Sequence, residues 1–282
     1  MRFTACAIAA LLIIGCSAAP PLENRAKQRA APTEVAAPPV APAAPVAAPA
    51  APTFPNQPPT ITRQTVDGVT FEGVSFDSRS HRLIVKDQPA GPGSQFPDAA
   101  AAGQSAEGLA AINAGFFTLE GDPLGLVVAN GTSSGFWNAT TSLGSGIWRQ
   151  DASGNLSITR REKLGRAAAG SQRELIQAGP MLLENGHSIL SLESTKSAVR
   201  SILLWDGGNR WWLGLTSPCT LAEVTGALSH ASPGGWHPKQ ALNLDGGRSS
   251  DLWISSQVSG GPLNRRPPWN KQVRNFLVLV AR

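Results

Sequence analysis

From Pro20 to Pro59 the chain is dominated by alanine and proline, broken early by Glu23, Arg25, Lys27 and Arg29. Such a stretch lacks the bulky apolar side chains of a core, and its prolines interrupt both helix and sheet. It is expected to form an extended, semi-rigid tether. Any packed structure must therefore be built from residues 61–282, a length sufficient for one substantial core.

What precedes the tether has the form of an export signal. Arg2 adds a positive charge at the start, and Ala5–Ile14 is an apolar run too short to span a bilayer. It ends in Leu12-Ile13-Ile14-Gly15-Cys16, an apolar stretch and a small residue directly before a cysteine. This is the arrangement of a lipoprotein processing site, so residues 1–15 are read as a signal peptide and Cys16 as the lipidated N-terminus of a 16–60 tether. Cleavage after Ala18 or Ala19 would instead release the protein. Either way the expected location is outside the cytoplasm. With lipid at Cys16 it is a membrane-anchored lipoprotein facing the periplasm or the cell exterior. Of the three cysteines only Cys219 then remains in the body, which leaves no internal disulfide and requires an ordinary core. A lone cysteine in that setting reads as a small buried apolar residue.

The body is rich in short apolar runs and poor in long amphipathic repeats. Val69–Phe71 with Val74–Phe76, Leu83–Val85, Gly125–Ala129, Ile147-Trp148, Leu156–Ile158, Met181–Leu183, Arg200–Trp205, Trp211–Leu215 and Phe276–Val280 read as strands. Asn130-Gly131 and Asn185-Gly186 read as tight turns that need positive φ. Asp206–Asn209 reads as a hairpin turn. Helices are expected over Ala99–Ala111 and Thr220–Ser229, the second with Thr220 and Glu223 at capping-box spacing. The fold class is α+β, a single strand-rich mixed domain with a few helices over 61–282.

The net charge of +5 lies partly in the tether, and the body has no lysine–arginine block. Eight tryptophans and no tyrosine do not form the basic, aromatic-interleaved stripe of a nucleic-acid binder, so none is expected as a partner. The four histidines, His81, His187, His230 and His237, make no short-range metal signature, and no nucleophile elbow is present.

The segment Leu242–Leu252 is the most distinctive. An apolar strand delivers Asp245 to its end, Gly246 and Gly247 let the backbone turn or approach a ligand, and Arg248, Ser249 and Ser250 supply adjacent donors. The plainer alternative is a tight turn in which Asp245 caps local amides. Asn113, before the turn at Gly115 and the Phe116-Phe117 pair, and Gln177, before Gly179-Pro180, are amides placed at turns in the same way. Arg200 begins a strand, and its planar fork suits a phosphodiester, although strand-end arginines are more often solvated. Lys271, Arg274 and Asn275 precede the last strand.

Taken in order, these elements resemble the phosphodiester glycosidase family. The resemblance runs from Val69 to Val280 through Asn113–Phe117, Pro123–Val128 before Asn130-Gly131, Gln177–Pro180 before Asn185-Gly186, Arg200, Thr220–Glu223, and Asn243–Gly247 with Ser249-Ser250. It implies one cleft that uses Asp245, Arg200 and Asn113 in catalysis. Gln177, Gly115, Gly246, Gly247, Arg248, Ser249, Lys271 and Asn275 would bind substrate there. Three positions depart from the family pattern. Ala114 and Arg248 stand where glycines are usual, and Lys271 where an arginine is common.

The implied reaction is hydrolysis of a sugar-1-phosphodiester in an envelope or extracellular glycan. Candidates for a second carboxylate are Glu120, Asp122, Glu223 and Asp251. No cofactor is called for, and neither a divalent metal nor an oligomeric state is specified by the sequence. Two alternatives keep the protein outside the cytoplasm. One is a noncatalytic module that binds phosphosugars or exopolysaccharide. The other is an exopolysaccharide-associated structural protein in which these motifs maintain the fold, with Asn113, Gln177 and Arg200 buried, internally satisfied and without a pocket between them.

Overall fold

The computed structural model describes residues 57–282. The signal peptide, Cys16 and the tether as far as residue 56 lie outside the described residues. Among the described residues no helix is long and apolar enough to cross a membrane.

Three antiparallel sheets make up the domain. The first has seven strands, in the order β1 (Thr60–Val66), β2 (Val69–Asp77), β13 (Arg210–Thr216), β12 (Ser201–Trp205), β14 (Gln240–Asn243), β10 (Met181–Glu184) and β11 (His187–Ser188). The second runs β16 (Leu263–Arg265), β15 (Leu252–Ile254), β4 (Ala110–Asn113), β17 (Asn275–Ala281) and β3 (His81–Asp87). The third runs β6 (Thr132–Ser134), β5 (Val127–Ala129), β9 (Glu174–Ala178), β7 (Gly146–Gln150) and β8 (Leu156–Arg160).

All three sheets turn one face into a single core, where Val74, Ile112, Trp148, Ile176, Leu203, Trp211, Leu242 and Leu277 meet. Each outer face is covered separately. Helix α4 (Leu221–Leu228) packs Val224 and Leu228 with Phe71, Ile202 and Leu204 of the first sheet. Helix α1 (Ala99–Gln104) packs Ala99 and Ala102 with Phe276 and Val278 of the second. The short helices α2 (Arg161–Leu164) and α3 (Arg166–Ala169) put Leu164 and Ala169 with Ile147 and Leu175 of the third. Burial on both faces explains why runs such as Ser201-Ile202-Leu203-Leu204 show no polar alternation.

The turn chemistry acts as the sequence requires. Asn130 and Gly131 have φ of 48° and 79°, and Asn185 and Gly186 have 52° and 82°. Helix α4 carries the full capping box between Thr220 and Glu223. One expectation fails: Ala99–Ala111 is not a single helix. It ends at Gln104, Glu107 turns the chain at φ 51°, and Ala110–Asn113 becomes a central strand paired with β15 and β17. The helix preference of alanine is weak, and a fully buried position between two strands overrides it.

A pair of glycines fixes the outer face of the first sheet. Gly73 and Gly214 are register partners on β2 and β13, and the Trp212 indole lies over both. The Nε1 of Trp212 donates to Thr62 Oγ1 of β1 at 2.8 Å. A Cβ on Gly214 would sit 2.4 Å from Glu72 O and 2.6 Å from the indole. Gly214→Ala is therefore expected to destabilise the domain by about 1–3 kcal/mol through overpacking, measured by urea unfolding.

Candidate functional site

Asp245 lies two residues beyond the end of β14, and two bonds fix its backbone. Its N–H donates to Ala114 O at 2.8 Å, and its carbonyl accepts from Asn113 Nδ2 at 2.5 Å. The chain then enters a one-turn 3₁₀ helix at Gly247–Ser249, with Gly247 at φ 61°. The half-buried Asp245 side chain faces a cleft of about 430 Å³, within the range of small-ligand sites. Ser249 and Lys271 share the cleft with it, and Phe116, Phe117 and Leu119 form an apolar wall.

Burial pushes the Asp245 carboxyl up to about 6 from 3.8. A hydrogen bond from Ser249, the Gly246 N–H at 2.9 Å and the charge of Lys271 pull the other way without cancelling it. The Lys271 N–H donates to Arg248 O at 2.7 Å, which holds the lysine's segment against the 3₁₀ turn.

Not every predicted residue reaches this cleft. Asn113 is fully buried, and both ends of its amide are occupied. Its Oδ1 accepts from Ser201 Oγ at 2.7 Å and from the Asp251 N–H at 3.1 Å, while its Nδ2 holds Asp245 O. It lies beneath the cleft and positions Asp245, so the expected contact between its amide and a substrate is corrected. The side chain of Gln177 is likewise spent internally. It accepts from the N–H groups of Leu126 and Asn138 and donates to the carbonyls of Asn138 and Gly144, fastening the segment between β6 and β7 to the residue before β5. Asn275 is buried below the Gly115 N–H, which donates to its Oδ1 at 2.7 Å.

The stem of Arg200 lies beside Gly246, but its guanidinium turns to Cys219 O at 2.9 Å and to Lys196 O, with Glu193 at 3.8 Å. Arg248 is exposed, and its Nε donates to Trp269 O at 3.3 Å. Arg274 is buried in a bidentate pair with Asp87, and it also donates to Gly121 O at 3.0 Å.

The second-carboxylate candidates separate clearly. Glu223 is bound in its capping box. Asp251 is buried, with its Oδ2 accepting from the Ala99 N–H and from Arg266. Glu120 and Asp122 are exposed on the turn that follows Thr118 and Leu119 of the cleft wall. Among the described residues Asp245 is the one carboxylate lining the cleft. No three His, Cys, Asp or Glu side chains among the described residues come together to hold a metal ion. Pro92 and Gln272 also line the cleft and were not foreseen. Gln272 has a local signal, lying next to Lys271, whereas Pro92 arrives from a loop distant in sequence.

Three antiparallel sheets closed on one core, with an acid delivered from a strand end into an open cleft, define a strand-rich α+β domain with a single-carboxylate site. The chain belongs to the phosphodiester glycosidase family, a family of hydrolases, whose model matches residues 106–280. No curated protein sequence matches it.

Three solved structures share the fold. The catalytic domain of zebrafish N-acetylglucosamine-1-phosphodiester α-N-acetylglucosaminidase, auto-inhibited by its pro-peptide, is 17% identical. The match covers 83% of this chain and 86% of that one, with a TM-score of 0.55. A hypothetical protein from Synechocystis is 16% identical over 80% of this chain and 62% of its own, at 0.54. A candidate exported protein from Burkholderia pseudomallei is 12% identical over 75% and 74%, at 0.50.

Two stability effects follow. Asn113→Ala strands Asp245 O and the Asp251 N–H and leaves Ser201 Oγ with Ser250 Oγ alone, and is expected to cost about 2–4 kcal/mol in urea unfolding. Asp245 binds its proton more tightly folded than unfolded, so its contribution to stability falls as pH rises from 3.8 through about 6. Asp245→Asn removes that loss. It should be more stable than the parent by roughly 1–3 kcal/mol at neutral pH, with the gain gone at the acidic end of that window, measured by melts across pH.

Proposed function

We propose that the protein hydrolyses the bond between a sugar's anomeric carbon and a phosphodiester oxygen in a glycan outside the cytoplasm. The observation that carries this is Asp245, a half-buried carboxyl raised to about 6 and facing a cleft that also holds Lys271 and Ser249. A group that titrates there is largely ionised at neutral pH and retains enough basicity to accept a proton. Water attacks the anomeric carbon and gives its proton to Asp245. The bond from that carbon to the phosphate oxygen breaks with its electron pair on the oxygen. The products are a free sugar and a phosphomonoester.

The leaving phosphate is stable as an anion and needs little protonation. Lys271, with the exposed Arg248 nearby, offsets its charge. Phe116 and Leu119 offer an apolar face to a sugar ring. This chemistry works with one carboxylate, in contrast to the paired carboxylates of most glycosidases. Membership of the family supports the reaction type, and the zebrafish relative's name supports a sugar-1-phosphodiester as the substrate class. The leader and Cys16 support an exported, lipid-anchored protein, and the fold shared with a candidate exported protein agrees with export.

One observation favours a second reading, a noncatalytic phosphosugar-binding module: Asp245 is the single carboxylate in the cleft among the described residues. A panel of sugar-1-phosphate diesters incubated with the full-length protein separates the two by free-sugar release. Release by the parent protein, reduced by about 10²–10⁴ in Asp245→Asn, is the expected result. Binding of the diesters with no release supports the module instead.

The base must be ionised, so kcat/KM should fall as pH drops below about 6. Lys271→Gln removes a charge that favours the ionised form and should move this acidic limb to higher pH.

A further inference from the structure

A second cavity lies beside the Gly247–Ser249 turn, apart from the cleft at Asp245. Ser249 lines that cleft, and its neighbour Ser250 lines the second cavity, of about 480 Å³. Three arginines surround this second cavity: Arg63 on β1, Arg265 at the end of β16, and Arg266 directly after it. We propose that it is a binding site for an anionic saccharide, a sugar unit carrying a phosphate or a carboxylate. The proposal does not depend on the hydrolytic function.

The charges around the cavity are unequal. Glu72 is shared by two guanidiniums: Arg265 Nε and Nη2 donate to it at 2.6 and 3.1 Å, and Arg63 Nη1 reaches it only at 3.5 Å. Arg266 is matched by the buried Asp251 through Nη1. Two carboxylates thus face three guanidiniums, and Arg63 is the least compensated. A guanidinium with open donors is well suited to a phosphate or carboxylate.

The remaining lining suits a sugar. Val199 and Leu215 give an apolar surface for a ring face. The Ser217 hydroxyl accepts from the Thr70 N–H and keeps its own proton to donate. The Asn264 side-chain amide, also in the lining, has no partner among the described residues and offers both donors and an acceptor. An inorganic anion alone would use the arginines and leave these groups idle.

The test is calorimetric titration of the full-length protein with glucose 6-phosphate, glucuronate, glucose and inorganic phosphate. The two anionic sugars should bind, with glucose and phosphate weaker by about tenfold or more. Binding confined to the phosphate ester or to the uronate identifies the anion and supports the site in either case. Arg63→Gln, at a largely exposed side chain, should weaken binding by about tenfold. Glu72→Gln releases both arginines from their shared carboxylate and should tighten binding by about tenfold, a gain that a purely structural role for Glu72 would not produce. The titrations are repeated on Lys271→Gln, which lowers any heat from the Asp245 cleft; binding to this cavity is the part that persists there and that Arg63→Gln weakens. The proposal is overturned if no anionic sugar binds. It is equally overturned if Lys271→Gln abolishes binding while Arg63→Gln and Glu72→Gln do not alter it.

Discussion

The side chain of Asn113 ties together three parts of the molecule, beside the backbone bonds that already run between them. Its oxygen accepts from Ser201 on the first sheet and from the backbone of Asp251, which leads into the second, while its nitrogen holds the carbonyl of Asp245. An amide is one of few side chains able to accept twice and donate in one plane. In a site closed to water each of these bonds is costly to leave unmade. The position of the Asp245 carboxyl, and with it the whole cleft, follows from this three-way tie.

The cleft also carries an electrostatic cost. A carboxyl raised to about 6 is ionised at neutral pH against the preference of its surroundings. Ser249, the Gly246 N–H and Lys271 reduce that penalty and leave part of it in place. Strain of this kind concentrates where a group must exchange a proton. A fully compensated aspartate would be a poor base, and an uncompensated one would stay protonated.

Much of the fold is legible in the sequence because local chemistry decides it. Asn130-Gly131, Asn185-Gly186 and the Thr220–Glu223 box announce their turns and cap without reference to the rest of the chain. Ala110–Asn113 does not, since its strand identity comes from pairing with β15 and β17. The same division holds at the site. Asp245 and Ser249 stand out locally, as a strand-end acid and a hydroxyl in a glycine turn, whereas Lys271 stands out only through the family resemblance. The direction in which Asn113, Gln177 and Arg200 point is set by carbonyls and N–H groups elsewhere in sequence, such as Asn138 for Gln177 and Cys219 for Arg200. Residue type and spacing carry no record of those partners.

The bond from Trp212 to Thr62 has a mechanical meaning. β1 is the edge strand of the first sheet, and the chain passes from it into residues before Gln57. Any pull transmitted through that segment first loads the backbone bonds of Ser259 to Pro59 and Ile61, and then tends to peel β1 from β2, pair by pair, beginning at Thr60 and Ser75. Two residues in, the peel meets Thr62, fastened to an indole that lies in a seat cut by Gly73 and Gly214. The glycine pair thus sets how much load the first strand bears before the core of the domain feels it.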